Sequence, residues 1–147
     1  MDWGQALGDV NWWAVLAAAV SSFAVGALWY GRALFGKSWM RLAGVSEESI
    51  NARKEMGGSG GPTSSYLMTA VTAVATAILL AVLLIATGTT GFFSGALLGA
   101  VLGLVFRLGA HVIHNGFAGR PLALTGIDGL HDVVAMAVAA GILGAWM

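Results

Sequence analysis

Six residues in the second half of the chain have types and spacings that could do chemistry. Arg107, His111 and His114 follow at steps of four and three, and Asp128, His131 and Asp132 at steps of three and one. On helices, each set shares one side. If the two helices fold back on each other about Gly119–Arg120, Arg107 lies level with Asp132 and His111 with Asp128. His114 and His131 then stand within a turn of the group. Three chemistries fit this set. An Arg107–Asp132 ion pair with histidine neighbours could simply lock the hairpin. The group could instead handle protons or ions, since histidine titrates near physiological pH and an arginine–carboxylate pair can gate. Finally, His111, His114, Asp128 and His131 could hold a divalent metal or haem, although the adjacent arginine opposes a cation there.

The elements that must position these residues are apolar helices. Apolar types make up 58% of the 147 residues, with 22 glycines besides, and only 10% are charged. A soluble domain of this size needs a charged surface that this chain lacks. Four segments reach the ~20 residues needed to cross a bilayer: 12–30, 66–86, 92–114 and 124–146. The uninterrupted apolar run Val133–Trp146 is too short to span, so the fourth helix must extend back through Asp128, His131 and Asp132. Charged residues at such depth usually face the bundle and pair. Trp12 and Trp13 mark one edge of the first span, and Trp29 and Tyr30 the other. The Trp12–Trp29 separation corresponds to about 26 Å of helix, close to a hydrocarbon core bordered by aromatic belts.

The expected fold is therefore all-α: one domain over 1–147, an integral membrane bundle of four transmembrane helices. The interfacial loop over 31–65 carries a short amphipathic helix, Ala33–Ala43, with Phe35, Trp39 and Leu42 among Lys37 and Arg41. Ser46 reads as the N-cap of a second short helix, Glu47–Met56, and Gly57–Gly61 with Pro62 as a flexible break. Gly91, Gly95, Gly99 and Gly103 form a glycine stripe on the third span, one every four positions. Glycine at that spacing permits close backbone approach in lipid. The stripe could face a helix of its own chain or of a second copy, and a homo-oligomer, in its simplest form a dimer, is expected.

Basic residues set the orientation. Arg32, Lys37, Arg41, Arg53 and Lys54 lie between the first two spans and Arg120 between the last two, while the tails and the 87–91 turn have none. The positive-inside rule places both loops in the cytoplasm and both termini outside. The N-terminus lacks the basic segment of a cleavable signal, so the first span is expected to be retained. With zero net charge, no nucleic-acid partner is expected. Without cysteine there is no disulfide or thiolate chemistry. No phosphate loop, nucleotide fingerprint or serine–histidine–acid array is present, and no cofactor is expected.

The runs Asn11–Glu48 and His114–Leu143 resemble the domain-of-unknown-function 1761 family, small bacterial four-helix membrane proteins. The resemblance rests on Trp29, Tyr30, Gly31, Phe35, Gly36, Lys37, Trp39, Met40, Asn115, Phe117, Gly119, Arg120, Pro121 and His131. It implies the four-helix architecture in a bacterial cytoplasmic membrane and no established activity. Three functions stay open: a carrier or channel that handles protons or ions, a non-catalytic membrane subunit assembling through its glycine-striped helix, and a metal-dependent membrane enzyme. In the first, Arg107 and Asp132 form a gate pair and His111, His114 and His131 titrate.

Overall fold

Among the described residues, four helices are long and apolar enough to cross a membrane, with three short ones around them. The computed structural model describes residues 3–56 and 62–147. A short helix α1 (Trp3–Gly8) precedes α2 (Trp12–Trp29), whose N-cap Asn11 accepts bonds from the Trp13 and Ala14 amides through Oδ1. Next come α3 (Gly36–Ala43), α4 (Glu47–Met56) and the long α5 (Pro62–Thr87). The third long helix begins as α6 (Phe92–Leu102), widens into a π-helical turn (Gly103–Leu108) and continues as α7 (Gly109–Phe117). The last is α8 (Leu122–Ala145).

The boundaries follow local chemistry. Ser46 caps α4 reciprocally with Ser49: the Ser49 amide donates to Ser46 Oγ and the Ser46 amide to Ser49 Oγ, both at 3.1 Å. The amphipathic helix starts at Gly36 rather than Ala33, because residues 31–35 form the turn that precedes it. The Phe35 amide donates to the Trp29 carbonyl and the Gly36 amide to the Gly31 carbonyl. A Cβ on Gly36 would strike the Tyr30 carbonyl, so glycine lets the chain reverse this sharply. The second long helix begins four residues earlier than hydropathy indicates, at Pro62, a favourable first helical position. The Gly57–Gly61 break lies outside the described residues.

Helix α8 is the hub against which α2, α5 and α6 all pack. The core is built of small residues, with Ala14, Ala18, Ala77, Ala81, Ala139 and Ala140 around Leu80, Leu84 and Leu143. The glycine stripe faces α8 of its own chain. A Cβ at Gly95 would collide with the Ala140 carbonyl and one at Gly99 with the Met136 carbonyl, while one at Gly103 would sit 2.8 Å from Val133 Cα. The Gly91 amide donates to the Gly144 carbonyl at 2.7 Å, closing the far end. The intramolecular alternative for the stripe is thus the observed one, and a homo-oligomer would have to use another face.

Helix α5 packs tightly over only part of its length. Its buried residues run from Ala77 to Leu84, whereas Tyr66, Leu67, Met68, Val71 and Val74 are exposed. Its first half therefore stands off from α8, at the end of the bundle that carries Arg32, Lys37, Arg41 and Arg120.

Candidate functional site

The α7–α8 turn fixes the register of the site. Gly119 adopts the left-handed conformation, with φ of 64°. The Arg120 amide donates to the Asn115 carbonyl at 2.9 Å, as in a glycine-terminated helix, and Pro121 then opens α8. Asn115 Nδ2 donates to the buried Thr125 Oγ1 at 3.1 Å, tying the two helices one turn further in.

This register brings Arg107 to Asp132, as the fold-back implies, and sets His111 beside the same carboxylate instead of Asp128. Arg107 donates to Asp132 Oδ2 through Nε at 3.0 Å and a terminal nitrogen at 2.9 Å. His111 Nε2 stands 3.3 Å from the same oxygen, and His131 Nδ1 is 3.0 Å from Oδ1. A carboxylate only accepts, so His131 donates from Nδ1. Its Nε2 is buried and has no partner among the described residues. The Asp132 side chain is 15% exposed and that of Arg107 52%, so the carboxylate is the enclosed member of the pair. Arg107 lies within the π-helical turn, where Gly109 N–H donates to the Leu104 carbonyl, five residues back. Such turns are frequent at functional sites.

Two expectations about the group fail. Asp128 does not pair with His111. Its Oδ1 accepts from Tyr30 Oη and from Trp39 Nε1, each at 2.9 Å. The fold-back considered only the last two spans, whereas the loop after α2 returns across this end and supplies two neutral donors. His114 is exposed on α7 and makes no side-chain bond to the group. It stands three residues beyond His111, about 60° off that face. Consequently the set His111, His114, Asp128 and His131 does not converge. Among the described residues no three histidine or acidic side chains are arranged to hold a metal ion.

Several participants were not singled out for these roles from the sequence. Tyr30 and Trp39 are the Asp128 donors, and Trp29 Nε1 donates to the Ile127 carbonyl at 3.0 Å. The Tyr30 and Trp29 rings flank His131, with centroid separations of 5.0 and 6.2 Å. Their clustering as Trp-Tyr-Gly before an amphipathic tryptophan was the available signal, but it read as an aromatic belt.

The cluster opens onto a cavity of about 820 Å³ between the exposed half of α5, α2, α8 and the π-helical turn with α7. Its lining includes Arg107, His111, Asp128, His131 and Asp132 from the polar group. The remainder is largely apolar, with Phe23 and Met136 and, from α5, Tyr66, Met68, Ala73 and Ala77. A second cavity of about 300 Å³ lies among Trp39, Asn115, Arg120 and Asp128, so Asp128 borders both.

The family model for proteins of unknown function DUF1761 matches residues 13–144. The chain belongs to the DUF1761 family. No curated protein and no solved structure shows significant similarity to it. The residues that carry the DUF1761 resemblance gather at this end of the bundle: Trp29, Tyr30, Trp39 and His131 surround Asp128 and Asp132, and Asn115, Gly119 and Pro121 set the α7–α8 register.

Proposed function

We propose that the protein is a small carrier or channel that handles protons or ions at Asp132. In this reading it crosses a bacterial cytoplasmic membrane four times, with both termini outside and the basic loops in the cytoplasm. The observation that carries the proposal is that Asp132 is enclosed by Arg107, His111 and His131 yet faces a large cavity rather than a sealed core. A lock alone needs no cavity.

The chain's own groups supply a gate. Arg107 lines the cavity with its guanidinium half exposed, and with water in that cavity its pair with Asp132 is worth no more than a surface pair, on the order of 1 kcal/mol. Breaking that pair in each cycle is therefore cheap. Leaving a buried carboxylate wholly unpaired would cost several times as much. His111 and His131 keep Asp132 hydrogen-bonded while Arg107 swings into the cavity, and each can pass a proton to it. The charged and titratable groups facing this site are Arg107 and His111 from the third long helix, Asp128 and His131 from α8, and Tyr30 and Tyr66 from the ends of α2 and α5.

Reconstituted vesicles loaded with a pH-sensitive dye test the proposal. Under an imposed pH gradient, wild type should dissipate the gradient at least tenfold faster than Asp132→Asn, and Asp132→Glu should retain part of the flux. Equal rates for wild type and Asp132→Asn in folded protein would remove the proposal and leave Arg107–Asp132 as a lock.

A further inference from the structure

The wall of the large cavity offers hydrogen-bond acceptors, because three of its hydroxyls commit their hydrogens to the backbone of their own helices. Ser22 Oγ donates to the Ala18 carbonyl, Thr69 Oγ1 to the Ser65 carbonyl and Thr72 Oγ1 to the Met68 carbonyl, at 3.2, 2.8 and 2.8 Å. Each oxygen keeps lone pairs for a donor. His131 Nε2 has no partner among the described residues but is buried, so it is closed to a solute in the cavity. Gly26 packs beside it, where a Cβ would stand 3.4 Å from Nε2.

The charges of the lining do not cancel. Arg107 cancels Asp132, but the ion pairs of the described residues leave Asp128 out; its bonds come from a phenol and an indole. With neutral histidines the lining carries one net negative charge. Phe23, Tyr30 and Tyr66 add aromatic surface, which attracts cations. The apolar remainder of about 820 Å³ is far larger than a bare ion needs and suits an organic body.

We infer that the cavity between α2, α5 and α8 binds an organic ammonium ion with an apolar body, its N–H groups directed to the hydroxyl lone pairs of the wall and its charge to Asp128. This names a solute class for the site proposed above and rests on that reading of the cavity, but not on proton flux. The exposed first half of α5 forms one wall, so an amphiphile dissolved in the adjoining lipid can reach the polar floor.

Matched probes decide it. Full-length protein in nanodiscs is titrated with 4-fluorophenethylammonium, the corresponding neutral alcohol and the corresponding arylpropanoate, followed by fluorine NMR against empty nanodiscs. The ammonium should bind saturably and at least tenfold more tightly than either analogue. Asp128→Asn should weaken the ammonium at least tenfold. Equal affinity for all three probes, or preference for the carboxylate, overturns the inference; both results come from wild type and do not depend on a variant folding. Ammonium binding in a protein that moves no protons would sink the flux proposal alone. Flux without ammonium preference would sink this inference alone.

Discussion

Gly99 offers the sharpest test of the packing that holds the site. Replacing it by alanine adds one methyl group, which would overlap the Met136 carbonyl and stand 2.7 Å from Ala140 Cβ. Carbon atoms settle at about 3.5–4.0 Å, so α6 and α8 must part by roughly 1 Å. Overpacking of this kind costs about 1–3 kcal/mol, and alanine returns up to about 1 kcal/mol through helix propensity. The net loss should be ~1–2 kcal/mol. Gly126→Ala is the control, because a Cβ there meets nothing within 4 Å; it should be neutral or stabilising. For a chain near 150 residues, ~1 kcal/mol corresponds to about 3 °C in the midpoint, so the two variants should differ by roughly 5 °C. Tryptophan-monitored thermal unfolding in one detergent reads this directly. Equal midpoints, or a more stable Gly99→Ala, would refute the close approach of α6 to α8.

Two further outcomes follow from the turn and the loop. Trp39→Phe keeps the ring against Tyr30 but removes the indole donor to Asp128; at a partly exposed site this should cost about 1 kcal/mol and speed amide exchange across Gly36–Ala43 about fivefold, and unchanged protection would show that the bond does not anchor α3. Gly119→Ala forces a Cβ into the left-handed conformation and should cost about 1 kcal/mol in denaturant midpoint, whereas Gly116→Ala, in open space on α7, should not; indistinguishable variants would contradict the turn geometry.

The helices were legible because length and hydropathy decide whether a segment can cross a bilayer. Ser46 and its acidic first turn identified α4 just as directly. Half of the polar site was legible as well. Arg107, His111 and Asp132 meet because one turn at Gly119 sets the register of two antiparallel helices, and register can be counted along a sequence. Asp128 was misplaced because its partners, Tyr30 and Trp39, arrive through a tertiary reversal at Gly31–Gly36 that periodicity does not encode. The glycine stripe announced a close approach without saying to what; α8 fits it because Ala140, Gly144 and the Met136 backbone present an equally small surface. Least legible was the cavity. It depends on the lean of α5, and Tyr66, Met68 and Thr72 look the same in sequence whether they face lipid or the site.

The central claim is that the group around Asp132 faces an accessible cavity and is not sealed inside the bundle. The chain has no cysteine, so single thiols can be introduced without background. Thr72→Cys lines the cavity, and Val71→Cys lies on the exposed side of the same helix outside its lining. Thiosulfonate labelling proceeds through the thiolate and so reports contact with water. In the reconstituted protein a charged, membrane-impermeant reagent should modify Thr72→Cys at least tenfold faster than Val71→Cys. Labelling of Thr72→Cys as slow as that of Val71→Cys would contradict an open cavity at Asp132.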